Sequence, residues 1–131
     1  MRDDLVGIRT MCETFDVTAR ALRFYEQKEL LFPHREGQKR LYGRRDRARL
    51  KLILMGRRFG VNLEEIRLLL DLYDSKDQKR MQLPKAIEVG ERRLAEMKAE
   101  RLALDQTIQE LTKELETGRK MLKAPQDREV A

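Results

Sequence analysis

From Ile8 the apolar residues Ile8, Met11, Cys12 and Phe15 recur at i, i+3, i+4 and i+7, so the pattern predicts a short first helix. Phe15-Asp16-Val17-Thr18 interrupts it. Thr18 is the residue type that caps the free amides of a following helix, which the spacing carries to about Gln27 or Lys28. In this second helix Leu22 and Tyr25 face inward while Arg20 and Arg23 point elsewhere. Leu30 to Tyr42 contains Pro33 and Gly37 and has no helical period, which predicts two short strands and a loop. A third helix follows from about Arg45 to Arg58, with Leu50, Ile53 and Leu54 on its apolar side and Gly60 suited to the turn that ends it. Asn62 and Glu65 have capping-box spacing and open a fourth helix whose face is Leu63, Ile66, Leu69, Leu70 and Tyr73. Residues 5–74 therefore read as one domain of four helices and a small hairpin.

Residues 75–83 are polar and charged and read as a linker, and Pro84 fits the first turn of a fifth helix. Nothing breaks the pattern from there to Leu122, and residues 84–122 in helix would measure ~58 Å at about 1.5 Å per residue. One heptad position holds Ile87, Leu94, Arg101, Ile108, Leu115 and Leu122; the other holds Gly90, Met97, Leu104, Leu111 and Gly118. Eight of these eleven are apolar, a stripe too long for so small a domain to cover, so a second copy of the chain is the expected partner. Ile87, Leu94, Met97, Arg101, Leu104, Ile108, Leu111 and Leu115 are the expected dimerisation residues, with Arg101 a local mismatch. The competing reading is a helix folded back on its own domain. Residues 123–131 read as a disordered tail.

Composition agrees with a mostly α chain: 40% of the 131 residues are charged, with 7 Gly, 3 Pro and no Trp. The net charge of +6 is unevenly placed, with 15 Lys/Arg against 8 Asp/Glu in residues 1–60 and 14 against 15 in the rest. Clustered cations gain affinity for a polyanion by releasing its counterions, so the basic N-terminal half points to nucleic acid. No apolar run is long enough to span a bilayer and no signal-peptide core follows the N-terminus, so no membrane partner and a cytoplasmic location are expected. The single cysteine, Cys12, excludes an internal disulfide or a multi-cysteine metal site within one chain, and its place on an apolar face marks it as a small core residue. His34 has no metal-binding partner at helical spacing. No nucleophile–base set, phosphate-cradling glycine loop or carboxylate pair can be assembled, so neither an enzyme nor a bound cofactor is expected.

The order helix, tight turn, helix, hairpin, helix sets a recognition helix beside a wing. In such DNA-binding proteins the second helix of the pair enters the major groove of double-stranded DNA while flanking cations fix its register on phosphate. Thr18, Arg20, Arg23 and Tyr25 of the helix, with Arg35, Lys39, Arg40 and Tyr42 of the wing, are the candidate contacts, Tyr42 being equally readable as wing packing.

The segment Asp16 to Glu26, then Leu30-Leu31, Arg40-Leu41-Tyr42, Asp46 and Phe59 to Ile66, resembles the N-terminal signature of the MerR family of transcription regulators, over about residues 5–73. The resemblance implies a winged helix-turn-helix domain followed by a long antiparallel coiled-coil dimerisation helix. It further implies a homodimer on an inverted-repeat operator, bent and locally untwisted promoter DNA, and an effector that realigns promoter elements for RNA polymerase. Arg20, Arg23, Tyr25, Arg40 and Tyr42 match the positions that contact DNA in this family. Phe24 stands where many members have tyrosine, and Gly43 where many have Ser or Thr. The cysteines of metal- and redox-sensing members have no counterpart beside the long helix here, and nine residues after Leu122 leave no room for a large ligand domain. The options left for an effector are a small molecule bound between the long helix and the DNA-binding domain, a partner protein, or none; residues 35–38, 46–54 and 71–74 resemble a subgroup linked to branched-chain amino-acid or fatty-acid breakdown. The alternative reading is an architectural DNA-bending or coiled-coil adaptor protein without an effector.

Overall fold

The computed structural model describes residues 4–74 and 79–124. The elements run β1 (Val6–Gly7), α1 (Ile8–Phe15), α2 (Ala19–Gln27), β2 (His34–Glu36), β3 (Lys39–Tyr42), α3 (Arg44–Arg58), α4 (Leu63–Asp74) and α5 (Lys79–Lys123). The chain divides into two units, residues 1–90 and 91–131.

In the first unit the hairpin predicted from Pro33 and Gly37 is present, with Arg35 opposite Arg40 and Glu36 opposite Lys39. Its two-residue turn opens on Gly37 at φ 60°, the left-handed value that a type II′ turn needs at its first central residue. The sheet has a third strand that no periodicity announced. β1 pairs antiparallel with β3, Val6 opposite Tyr42 and Gly7 opposite Leu41, giving the order β1-β3-β2. Two residues are too few to carry an alternation, so only the pairing reveals them.

Met11 of α1, Leu22 and Tyr25 of α2, Tyr42 of β3, Leu50 and Ile53 of α3, and Ile66 and Leu70 of α4 meet in one core with Leu30 and Leu31. Cys12 is half-buried against it. Gly60, at φ 79°, follows the end of α3 as its type predicts. The Glu65 amide donates to Asn62 Oδ1 at 2.9 Å, the cap expected of Asn62. The Tyr73 side chain, assigned by its spacing to the inner face of α4, lies outside the described residues.

Two charged residues belong to this core. Asp46 is 5% and Arg49 1% exposed. With Leu50 and Ile53 they form the i, i+3, i+4, i+7 stripe of α3, and both turn toward the segment that joins α2 to the wing. Asp46 Oδ1 accepts from the Phe32 amide at 2.9 Å; Arg49 Nε donates to the Leu30 carbonyl at 2.7 Å, and its guanidinium lies 5.2 Å from the Phe32 ring centroid. The Phe32 amide and the Leu30 carbonyl of this irregular segment thus gain partners that regular structure would otherwise supply.

α5 starts earlier than expected. Residues 75–78 of the expected linker lie outside the described residues, but 79–83 are helical and Pro84 sits inside the helix. Lys, Arg, Met, Gln and Leu at 79–83 are all good helix formers, and the helix continues past Pro84 although its missing N–H leaves the Arg80 carbonyl without that bond and its ring crowds it. Gln82 Nε2 donates to the Leu69 carbonyl at 2.7 Å and Val89 is buried, which anchors these first turns to the first unit. The domain edge therefore falls near Gly90 rather than Asp74.

The second unit is the remainder of α5. Arg93 donates to Glu96 at 3.2 Å and Glu100 at 2.8 Å along one face. The expected heptad stripe lies open in the single chain, with Leu94 50%, Leu104 60%, Ile108 52% and Leu111 59% exposed.

Candidate nucleic-acid interface

The helix pair is set by its turn. α1 ends at Asp16 in the left-handed conformation, and the Val17 amide donates back to the Cys12 carbonyl at 3.1 Å. Thr18 then caps α2, its Oγ1 accepting from the Ala21 amide at 3.0 Å. The hydroxyl offered as a DNA contact is thereby engaged in positioning the helix, although Thr18 itself remains at the surface.

Leu22 and Tyr25 turn inward from α2, and Arg20, Arg23, Phe24 and Lys28 turn outward. Lys28 Nζ lies 5.6 Å from the centre of the Phe24 ring. One outer concavity, of about 380 Å³, is lined by Thr18, Arg20, Ala21, Phe24, Arg57 and an edge of Tyr25. A second, of about 670 Å³, lies between α2, the start of α1 and the wing. Its side chains include Arg9, Arg23, Lys39 and Arg40 with Gln38, and no carboxylate lines it. A concave surface lined by Arg9, Arg23 and Lys39, with Arg40 held by Glu26 from outside the lining, suits the phosphate backbone of a duplex lying across it.

Arg9, Gln38 and Arg57 were not among the candidates. Nothing local distinguishes Arg9 on α1; only the pairing of Gly7 with Leu41 brings it beside the wing. Arg35 and Arg40, which were candidates, meet at Glu26 of α2, 3.2 and 2.9 Å away.

Both tyrosines, candidate contacts that the spacing also allowed to face inward, are buried. Tyr42 is fully buried, facing Val6 across the sheet, and its hydroxyl has no hydrogen-bond partner among the described residues. Burial above all, then the nearby Glu26 carboxylate, raises its phenol above the ordinary value of 10.0 against the opposing pull of Arg40. Tyr25 is 6% exposed and packs edge-on to Phe24. These rings support the surface from beneath: alternation along β3 and the period of α2 turn them inward, which outweighs the basic neighbours that suggested contact. Tyr42→Phe is expected to bind duplex DNA like the unmodified protein and to unfold at the same or a slightly higher temperature, because it removes an unpartnered buried hydroxyl. A loss of DNA affinity without loss of stability would return Tyr42 to the interface.

Among the described residues no group of three His, Cys, Asp or Glu is placed to hold a metal ion, and no helix is long and apolar enough to cross a membrane.

The profile for the MerR HTH family regulatory protein matches residues 7–73, and that for MerR, DNA binding matches residues 47–113. The chain belongs to the MerR family. It is 32% identical over 103 residues to the HTH-type transcriptional regulator CueR of Salmonella typhi, covering 73% of this chain and 74% of that protein. Against CueR of Escherichia coli O157:H7 the identity is 33%, over 73% and 76%. A crystal structure of a MerR-family transcriptional regulator from Bacillus cereus superposes with a TM-score of 0.62 at 31% identity, covering 86% of this chain and 83% of that one. The protein is a MerR-family transcriptional regulator with a DNA-binding domain, not an enzyme, and its macromolecular partner is double-stranded DNA. The helix-turn-helix and wing described above are its winged DNA-binding unit.

Proposed function

We propose that this MerR-family regulator binds an inverted-repeat operator as a homodimer and distorts promoter DNA, acting on transcription together with RNA polymerase. The observation that carries the reading is the concavity of Arg9, Arg23, Lys39 and Arg40, free of carboxylates, beside the outward face of α2. α2 enters the major groove and the wing rests on the flanking backbone. Arg20 reads a base edge; Arg23, Lys39 and Arg9 meet phosphate. The open apolar stripe of α5 supports the dimer, and an antiparallel pairing of two such helices gives the two-fold symmetry that an inverted repeat mirrors. Two wings gripping one duplex at a fixed separation supply the leverage for bending it.

The test is selection of genomic fragments by the purified protein at near-physiological salt, followed by footprinting. Enrichment of an inverted repeat within a promoter supports the reading; binding without sequence preference would make the protein an architectural factor instead. Arg20→Ala is expected to weaken the selected site by ~1–3 kcal/mol and to relax its preference at one base pair. Arg23→Ala should weaken all sequences alike and reduce the slope of log affinity against log salt by roughly 0.9. An equal loss on every sequence for Arg20→Ala would assign that residue to phosphate.

A further inference from the structure

Glu26, in the last turn of α2, is where both strands of the wing converge. Arg35 of β2 donates from Nη2 to its two oxygens at 3.2 and 3.3 Å, and Arg40 of β3 donates from Nε at 3.2 and 2.9 Å. Arg35 and Arg40 are directly opposed across the hairpin, a pairing of like charges that is unfavourable unless an anion lies between them. The Glu26 side chain is 18% exposed, against 24% for Arg40 and 54% for Arg35, so the carboxylate lies deeper than the cations it holds. Neither arginine has another partner among the described residues.

Two effects follow from one carboxylate. The wing is tied to the helix beside it through both of its strands. The two guanidiniums are also partly neutralised, and DNA phosphate must compete with Glu26 for them. Freely available cations attract the backbone of any sequence equally. Cations already held contribute to binding only when α2 is seated well enough for phosphate to reach their remaining N–H groups. We propose that Glu26 is a specificity-determining residue, which withholds Arg35 and Arg40 from indiscriminate phosphate contact and fixes the wing against the recognition helix. The inference rests on the reading of α2 and the wing as the DNA-contacting surface.

The experiment measures binding of the full chain to a short random-sequence duplex over a range of salt, for the unmodified protein, Glu26→Gln, Arg35→Ala/Arg40→Ala and the triple variant, with thermal unfolding of each. Glu26→Gln is expected to bind the random duplex several-fold more tightly, with a salt slope steeper by roughly 0.9 for each arginine released. Placed on the Arg35→Ala/Arg40→Ala background, the same change should alter neither quantity, which a merely structural role would not reproduce. The arginine pair gives a second test that leaves α2 intact. Its removal should flatten the slope by well under the roughly 1.8 expected for two full phosphate contacts. An unchanged or shallower slope in Glu26→Gln, a steepening that persists without the arginines, or a full two-contact loss in the arginine variant overturns the proposal. Absence of any duplex binding by the unmodified protein would overturn the DNA-binding reading along with it.

Discussion

Arg49→Met should cost about 1–3 kcal/mol of stability, the loss usual when a buried acceptor is left without its donor. At roughly 4–8 °C per kcal/mol for a domain of this size, unfolding would move down by about 5–20 °C. The side chain is 1% exposed, out of contact with bulk solvent. Its loss leaves the Leu30 carbonyl without this donor and removes the cation that acts most strongly on Asp46. Burial, the dominant influence, already lifts the Asp46 carboxyl above its ordinary value of 3.8, although the Phe32 amide and Arg49 pull it down. The folded protein therefore takes up this proton at higher pH than the unfolded chain does. The contribution of Asp46 to stability is fullest below 3.8 and is lost as pH rises through the folded-state value. Without Arg49 that value climbs further, so the deficit of Arg49→Met should narrow as the solution is made acid. Urea unfolding at neutral and acid pH measures both; a loss under about 1 kcal/mol, or a deficit that widens in acid, would show that the two charges do not support each other.

Leu104→Asp/Ile108→Asp should abolish dimerisation and, with it, binding to an inverted repeat. Both side chains are more than half exposed in the single chain, and each would be buried in both copies of an antiparallel pair. Burying one such side chain is worth about 1.5–3 kcal/mol, so one position counted in both copies is worth about 3–6 kcal/mol, or two to four powers of ten in the dimer dissociation constant. Sedimentation or light scattering reads the mass directly. The first unit should keep its unfolding transition, since neither residue belongs to it. A monomeric unmodified protein, or a variant that remains dimeric, would remove α5 as the interface.

The elements that the sequence reveals are those with a repeated physical signal. The face of α1 from Ile8 to Phe15, the cap at Thr18 and the positive φ of Gly60 each follow from spacing or residue type, and the structure places them where expected. β1 has no such signal, and it is β1 that brings Arg9 to the wing. The tyrosines mislead because an aromatic ring among cations reads equally as a contact or as the floor beneath one; only the strand register of Tyr42 decides. Asp46 and Arg49 carry a different signal. They continue the stripe of Leu50 and Ile53 at helical spacing, and charged residues on an apolar face mark a buried polar demand nearby. Glu26 is less accessible to such reasoning, since nothing in its own helix indicates that two strands beyond Pro33 will converge on it.

The suspension of residues 30–32 from α3 bears on how small a working piece of this protein can be. A fragment ending at Gly43 would contain both helices of the pair, the whole wing and most of the outward cations. It would lack Asp46 and Arg49, and with them the attachments that hold the Leu30 carbonyl and the Phe32 amide. The angle between recognition helix and wing is thus stored in α3, a helix that also brings Arg57 to the concavity beside Arg20. The minimal reader of DNA extends through α3.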